Sequence, residues 1–337
     1  MQKIKFGVLS VSNHLIKRII LPLQNLENCE LYAIASRDKE KAQMAADDFS
    51  IPVVADSYEE LIARTDIDAI YIPLPNHLHA EWAIKALKAG KPVLCEKPIA
   101  MDAAETRKMI EAADETKVPL MEAFMYKFHP MWRHVRDIIR TNQIGTLSFI
   151  HTTFSYNNPS PFNIRNIAEY GGGGLMDIGC YAISAARFLS SSEPKRVISL
   201  IAYDDDNGTD IHSSALMDFG HLRASFHVST RSEPFQKVDI IGSAGSITIH
   251  VPFNTYVDTR ALVTVSTGQG SRDVHFPIAD AYGIMFREFS EALINKAPMP
   301  LPLSDALNNM LVIDAIREST RSRTWVELNT KETSNVQ

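Results

Sequence analysis

Cysteine is scarce in this chain. Its 337 residues include three cysteines, Cys29, Cys95 and Cys180, at wide and irregular spacing. An odd number of cysteines without a Cys-x-x-Cys pair argues against a disulfide scaffold and against a cysteine metal site. The sequence therefore predicts free thiols in a reducing compartment, and we expect a cytoplasmic protein.

Long apolar runs and basic clusters are also missing. The apolar runs fall far short of the roughly 18 residues that a membrane-spanning helix requires. Residues 1–10 enter a strand-like pattern without the features of a signal peptide. The 34 Lys and Arg residues against 40 Asp and Glu residues give a net charge of −6. Because no basic patch stands out, we expect neither a nucleic acid nor a membrane as partner.

The length indicates two domains, because a domain averages about 150 residues. In residues 1–124, short apolar runs alternate with amphipathic segments. Helical patterns lie at 77–89 and 102–117, and the strand-like runs lie at 4–9, 31–35, 69–72, 93–95 and 120–123. Strands that alternate with helices predict right-handed βαβ units on a doubly wound, mostly parallel sheet, so the first domain belongs to the α/β class.

Residues 125–337 show a different pattern. Short strand-like runs with tight connections dominate 197–276, and helical patterns lie at 131–140, 175–189, 280–295 and 304–319. Consecutive strands joined by tight turns are typical of antiparallel pairing. We therefore predict an α+β second domain with an open, mainly antiparallel sheet, and a domain boundary between residues 124 and 125.

The first strand runs into a loop where a dinucleotide-binding domain carries its glycines. The fingerprint Gly-x-Gly-x-x-Gly uses glycine for a tight turn and for close approach to a pyrophosphate. Here serine occupies the first two glycine positions. Backbone N–H groups of serine can still face a phosphate, which makes a candidate cofactor loop of Ser10, Val11, Ser12, Asn13 and His14. An ordinary strand–helix turn explains the same residues.

The end of the second strand bears on the choice between NAD and NADP. A strand that selects NAD commonly ends in Asp or Glu, which accepts hydrogen bonds from the ribose hydroxyls. This strand is followed by Ser36 and Arg37, with Lys41 one turn later. A hydroxyl and a guanidinium suit a 2′-phosphate, so NADP is predicted and NAD is disfavoured. The alternative is a solvated helix start.

Two further segments carry candidate chemistry. Lys97 follows a buried strand at the sheet edge where ligands bind. Burial and nearby positive charge can lower the pKa of a lysine, and an oxidised nicotinamide supplies such charge, so Lys97 is a candidate proton shuttle. Four glycines, 171–174, precede a helical segment on which Asp177 and Tyr181 share one face. The alternatives are an exposed lysine and a tyrosine packed in the core.

These segments resemble the glucose–fructose oxidoreductase / inositol dehydrogenase / rhizopine catabolism (Gfo/Idh/MocA) family. The resemblance covers nearly the whole chain, and its motifs are Glu96-Lys97-Pro98, 172–181, 73–79, Asn163-Ile-Arg165, 241–246 and the late helix from Ser304. Within the family, the chain looks most similar to NADP-dependent aldose and dihydrodiol dehydrogenases and to sugar ketoreductases. The departure is the glycine-poor first loop.

The resemblance implies a Rossmann-type first domain and a role for each matching residue. Lys97, Asp177 and Tyr181 match the catalytic positions, with Tyr181 in place of the His of many members. The implied cofactor contacts are the loop Ser10–His14, Ser36, Arg37, Leu74, Asn76, His79 and Glu96, with Lys41 added from its position. Tyr156 and Arg165 are candidates for the substrate, and Arg165 also for the nicotinamide side. The family's open sheet face implies a homodimer or homotetramer.

We therefore expect an NADP(H)-dependent oxidoreductase that transfers a hydride between nicotinamide and a hydroxyl or carbonyl carbon of a sugar or related cyclic polyol. Two alternatives stay open. One is a nucleotide-sugar ketoreductase of deoxysugar biosynthesis, whose diphosphate would face Arg133, His134 and Arg165. The other is a cofactor-sensing protein without turnover. No metal is expected, because His77 and His79, two residues apart on a helix, do not share a face.

Overall fold

The computed structural model describes residues 3–256 and 258–328. It divides into two compact units. The first comprises the chain up to Met125 together with Asp280–Ala306, and the second comprises Tyr126–Ala279 together with the described residues from Leu307 onward. Within the described ranges, no helix is both long and apolar enough to cross a membrane.

The first unit is built on a parallel sheet of six strands, and all but the two strands at one side of it, β2 and β3, are buried almost throughout. The strands are β1 (Ile4–Leu9), β2 (Cys29–Ala35), β3 (Val53–Ala55), β4 (Ala69–Ile72), β5 (Val93–Glu96) and β6 (Leu120–Ala123). Their order, β3-β2-β1-β4-β5-β6, reverses direction between β1 and β4. Ligands of such doubly wound sheets bind at the carboxyl ends of the strands beside this reversal.

Helices connect these strands, and an aspartate or serine side chain caps the N-terminus of three of them. The helices are α1 (Ile20–Gln24, preceded by a π-helical turn Leu15–Ile19), α2 (Lys39–Phe49), α3 (Tyr58–Ala63), α4 (His79–Lys88) and α5 (Ala103–Thr116). Asp38, Ser57 and Asp102 accept hydrogen bonds from the first turns of α2, α3 and α5. Such caps satisfy N–H groups that the helix leaves without partners.

The second unit is built on a mixed sheet of nine strands. The strands are β7 (Leu147–Asn157), β8 (Arg196–Tyr203), β9 (Asp210–Asp218), β10 (Arg223–Ser229), β11 (Arg231–Gly242), β12 (Gly245–Ile249), β13 (Leu262–Thr267), β14 (Gly270–His275) and β15 (Val326–Glu327). Their order is β14-β13-β12-β11-β7-β10-β9-β8-β15. Among the described strands of this second sheet, β7 and β10 pair in parallel and the other neighbours pair antiparallel. This arrangement and the parallel first sheet confirm the predicted fold class.

One face of the nine-stranded sheet is apolar and the other is polar. Ile150, Phe154, Phe226 and Val228 point to the buried face, where α7 (Cys180–Ser190) contacts β7 and β10. The remaining helices of the chain are α6 (Pro130–Arg140), α8 (Ala281–Asn295) and α9 (Leu303–Ser322). The opposite, polar face of the sheet is called the open face below.

The structure adds elements that the sequence patterns did not reveal. The three-residue strand β3 and the helices α2 and α3 were not predicted. Helix α8 packs with the first unit, although the predicted second domain runs from 125 to 337. Its Phe286 and Phe289 meet Phe6 of β1 at centroid distances of 5.1 and 5.9 Å. The boundary between residues 124 and 125 stays a prediction.

Candidate active site

The loop after β1 keeps the backbone shape of a glycine turn without the glycine. Ser10 has φ +110°, a conformation that L residues rarely adopt, while its N–H donates to Ala35 O at 2.8 Å. Ser12 Oγ accepts from the N–H of Leu15 at 3.0 Å and so begins the following helix. Val11 is buried and Asn13 is exposed, so Val11 can face a ligand only through its backbone.

His14 connects this loop to the end of β5. Its Nε2 lies 3.5 Å from Glu96 Oε1, beyond the usual range of a hydrogen bond, and its ring packs against Tyr282 of α8. The hydroxyl of Tyr71 donates to the same Glu96 oxygen at 2.7 Å. Burial raises the pKa of Glu96, but the nearby His14 imidazole, the hydrogen bond from Tyr71 and the charge of Lys97 lower that pKa by more. Glu96 is therefore a carboxylate at neutral pH.

The end of β2 presents the groups predicted for a 2′-phosphate. Ser36 is half-buried, and its Oγ accepts from the N–H of Asp38 at 3.2 Å. Arg37 and Lys41 are exposed at the beginning of α2, where helix N–H groups also favour an anion. Hydroxyl, guanidinium and ammonium thus lie within one short segment.

His79 lies beneath the main chain of the predicted cofactor site. Its side chain is completely buried; Nδ1 lies 2.9 Å from Pro98 O and Nε2 lies 2.8 Å from Leu74 O. Both ring nitrogens thus face main-chain carbonyls, and the cofactor contact of His79 stays a prediction. Leu74 is also buried, whereas Asn76 is half-buried at the start of a 3₁₀ turn.

The backbone around Lys97 is held on both sides. The Lys97 N–H donates to Glu96 Oε2 at 3.3 Å, and the Pro98 carbonyl lies against His79. The Lys97 side chain is half-buried at the carboxyl end of β5. His79 and Glu96 therefore fix the main chain from which the Lys97 ammonium projects.

In the second unit, the structure brings three predicted residues together. Asp177 Oδ2 accepts from the Tyr156 hydroxyl at 2.7 Å and from Arg165 Nε at 2.9 Å. The Asp177 side chain is 15% exposed and that of Arg165 is 41% exposed. The Asp177 charge raises the pKa of Arg165. Burial, followed by the Asp177 charge, raises the pKa of Tyr156, so Tyr156 stays a hydrogen-bond donor.

Tyr181 lies in an aromatic cluster beside these residues. It is 5% exposed, and its ring centroid lies 5.1 Å from Phe253, 5.9 Å from Phe154 and 5.9 Å from Tyr126. The phenol is close enough to Arg165 to raise the pKa of that guanidinium. The ring is thus packed in the core, as in the alternative interpretation, while the hydroxyl end lies near the polar cluster.

A π-helical turn, Leu175–Gly179, carries Asp177 and replaces the predicted α-helical start. Such turns occur frequently at functional sites. Sequence reasoning missed Asp210, whose carboxylate accepts from the N–H of Leu175 at 2.6 Å. It also missed Tyr71, which follows the strand pattern of β4 and carries no other signal. Asp210 lies 35 residues from its partner, and no short-range pattern reports such a contact.

A dinucleotide-type sheet with a strand-end lysine, and a second unit with an acid, an arginine and a phenol, define an oxidoreductase of two-domain architecture. Residues 4–124 match an oxidoreductase family with an NAD-binding Rossmann fold, and residues 132–248 match the GFO/IDH/MocA C-terminal domain. The uncharacterized oxidoreductase ORF334 from Rhizobium meliloti is 36% identical over 96% of this chain and 99% of that protein. The chain therefore belongs to the Gfo/Idh/MocA oxidoreductase family, as predicted.

Two further relatives have informative names. D-xylose 1-dehydrogenase (NADP(+)) 2 from Haloferax volcanii is 33% identical over 96% of this chain and 99% of that protein. Among solved structures, the 3-ketoreductase KijD10 from Actinomadura kijaniata, in complex with NADP and TDP-benzene, superposes with a TM-score of 0.89. The two chains are 28% identical, and the superposition covers 94% of this chain and 98% of the KijD10 chain.

Proposed function

We propose that the protein is an NADP(H)-dependent oxidoreductase that acts on a hydroxyl or carbonyl carbon of a sugar or related cyclic polyol. The observation that carries the proposal is the cluster in which the Tyr156 hydroxyl and Arg165 Nε converge on Asp177. Such a set of donors and one acceptor suits a ligand with several hydroxyl groups. The named relatives include an NADP-dependent sugar dehydrogenase and a sugar 3-ketoreductase.

The residues of the first unit fit NADP. Ser10 adopts the φ of a fingerprint glycine, so the loop from Ser10 to His14 can follow a pyrophosphate. Ser36, Arg37 and Lys41 would hold the 2′-phosphate, since none of them is a carboxylate that would repel it. Asn76 and Glu96 would lie toward the nicotinamide, and Arg165 is a further candidate there. The cofactor supplies the hydride.

The chain's own residues supply proton transfer and orientation. Lys97 Nζ accepts the hydroxyl proton during oxidation and returns it during reduction. Glu96, ionised beside it, and His79, behind Pro98, hold the lysine's main chain. Asp177 orients the substrate hydroxyls with Tyr156 and Arg165, and Tyr181 assists in the proton transfer. Hydride transfer is reversible, so the same residues serve an aldose dehydrogenase or a ketosugar reductase.

A nucleotide-sugar ketoreductase is the second candidate, because the KijD10 structure contains TDP-benzene. The basic residues expected to face a diphosphate do not favour it here. Arg165 is neutralised by Asp177, and the His134 ring packs against Phe276 at 5.3 Å. We expect thymidine diphosphate to leave sugar turnover unchanged. Competitive inhibition by that compound would support the second candidate instead.

Replacement of Lys97 tests the proposed chemistry. Lys97→Met should lower kcat by about 10²- to 10⁴-fold, the usual contribution of a proton-transfer group, with NADPH affinity retained. Lys108→Met, an exposed lysine of α5, is the matched control. The assay follows nicotinamide absorbance with a panel of aldoses, ketoses and polyols. Full turnover by Lys97→Met contradicts the assignment, and NADPH binding by the wild type without any turnover supports the cofactor-sensing alternative.

We also propose a homodimer or homotetramer that forms through the open face, and a cytoplasmic location. The dimensions of that face support self-association. Nine strands about 4.8 Å apart and about 20 Å long give roughly 800 Å², which matches one partner's share of a standard interface. Leu200, Phe235 and Ile241 are exposed on strands of this sheet. All three cysteines are free and buried, which is compatible with a reducing compartment.

A further inference from the structure

In the four-glycine segment, residues 171–174, the main chain lies against both the Arg165 carbonyl and the Asp210 carboxylate, just before the turn Leu175–Gly179. Gly173 has φ +106°, and its N–H donates to the Arg165 carbonyl at 2.8 Å. A methyl group at Gly173 would overlap Oδ1 of Asp210. Glycine is therefore required where the main chain passes between the Arg165 carbonyl and the Asp210 carboxylate.

Asp210 supplies the cap that the helix start lacks in its own sequence. Gly174 has no side chain to accept from the first N–H groups of the turn Leu175–Gly179. Asp210, the first residue of β9, is 7% exposed, and its Oδ2 accepts from the N–H of Leu175 at 2.6 Å and from the Ser213 hydroxyl at 2.6 Å. A carboxylate at a helix N-terminus stabilises that end through hydrogen bonding and through the helix dipole.

The capped turn is the one that carries Asp177. The Asp177 N–H donates to Gly173 O at 3.0 Å, so a displacement of Gly173 or Leu175 displaces Asp177 as well. The distances from Asp177 Oδ2 to Tyr156 and Arg165 are 2.7 and 2.9 Å, and a shift of a few tenths of an ångström would weaken both bonds.

We propose that Asp210 is a positioning residue, which holds the π-helical turn Leu175–Gly179 so that Asp177 meets Tyr156, Arg165 and the substrate. The kinetic part of this inference rests on the proposed function. The structural part, that Asp210 stabilises the position of the turn, does not rest on the proposed function.

The ionisation of Asp210 should make turnover depend on pH. Burial raises the pKa of Asp210, and the hydrogen bonds from Ser213 and Leu175 offset this only in part. Tyr156 on β7, Tyr203 on β8 and Arg317 on α9 are the titratable groups whose charges interact with it. As pH falls, Asp210 takes up a proton earlier than an ordinary aspartate, and the neutral carboxyl is a weaker acceptor. Turnover therefore decreases on the acid side.

The test compares Asp210→Ala with Asp210→Asn, which keeps an acceptor but cannot titrate. Asp205→Ala, on the exposed β8–β9 turn, is the control. Hydrogen exchange of residues 171–181 should accelerate about tenfold or more in Asp210→Ala, as expected for a lost charged hydrogen bond. It should accelerate to a smaller extent in Asp210→Asn, whose neutral amide is also a weaker acceptor, and remain slow in the control. Turnover should fall most in Asp210→Ala and less in Asp210→Asn, with NADPH affinity unchanged, and the acid limb of kcat that Asp210 contributes should disappear in Asp210→Asn.

Ser213→Ala provides a milder perturbation if Asp210→Ala does not fold, because it removes one of the two hydrogen bonds to Asp210. It should accelerate the same exchange to a smaller extent. Unchanged exchange in Asp210→Ala and Ser213→Ala overturns the proposal, as does an Asp210→Asn variant that is as defective as Asp210→Ala. If the wild type turns over no sugar, the proposed function fails, and the exchange data alone decide the role of Asp210.

Discussion

Ser10 and Ser12 occupy the two glycine positions of the dinucleotide fingerprint, yet they have opposite energetic roles. Ser10 adopts a φ of +110°, in a region where a side chain costs about 1–3 kcal/mol relative to relaxed backbone. Ser12 has a helix-capping hydroxyl, 3.0 Å from the N–H of Leu15. The sequence shows both departures from the fingerprint, but only the backbone geometry distinguishes strain at one from stabilisation at the other.

Substitution at these two positions should therefore change stability in opposite directions. Ser10→Gly should raise the free energy of unfolding by about 1 kcal/mol, since relief of strain exceeds the entropy cost of glycine. Ser12→Ala should lower it by about 1 kcal/mol through loss of the cap. Urea denaturation measures both values. Equal destabilisation by the two variants would show that Ser10 is not strained.

At the scale of elements, we propose that the junction of β2 and α2 determines which dinucleotide binds. Arg37→Ala should weaken NADPH binding by about 10- to 100-fold, the value of a hydrogen bond to a charged group, and leave NADH binding unchanged. Lys88→Ala, exposed at the end of α4, is the control. Fluorescence titration gives both dissociation constants. Equal losses for NADPH and NADH would place Arg37 away from the 2′-phosphate.

How far the sequence predicts an element depends on its length and on the range of its contacts. Strands such as β1 and β4 are short runs of mostly apolar residues, and they were predicted with their observed bounds. The three-residue strand β3 is too short to show a period. The family resemblance pointed to Asp177, Tyr156 and Arg165 as site residues without their mutual contacts, and the cap from Asp210 depends on a contact across 35 residues.

At the scale of the whole molecule, three histidines lie close together on the open face. His151, His212 and His227 stand on the adjacent strands β7, β9 and β10. The rings of His212 and His227 are stacked with centroids 5.9 Å apart. Burial, and then the neighbouring histidines, lower the pKa of His227. Protonation is thus already unfavourable there, and contact with a second copy would exclude more water.

The proposed dimer should therefore weaken as pH falls. Contact with a second copy would lower the pKa of His227 further than in the free monomer, so the stability that His227 contributes to the dimer is lost as pH falls below its monomer pKa. That pKa already lies below the ordinary value of about 6.5. Light scattering should give a dimer or tetramer at about pH 8 and smaller species at about pH 5.5. Replacement of His212 and His227 by Gln should reduce this dependence, and His221→Gln, in an exposed turn, should preserve it. A mass that is independent of pH contradicts the prediction.

The domain organisation depends on contacts that local sequence patterns do not predict. The sequence changes from alternating βα units to consecutive strands near residue 124, and the predicted boundary there stays a prediction. The return of α8 to the first unit depends on Phe286 and Phe289 packing against Phe6. An amphipathic helix does not specify which of two cores it covers, so this contact could not be predicted from its pattern.

The central claim is that a loop with serine in place of glycine still binds NADP. Side-by-side titration of the purified protein with NADPH and NADH tests it most directly, before any substrate is known. We expect saturable NADPH binding and NADH binding that is weaker by about tenfold or more, from the contacts of Ser36 and Arg37 with the 2′-phosphate. If neither dinucleotide binds, the altered loop has abolished the cofactor site, and the proposed oxidoreductase activity is contradicted.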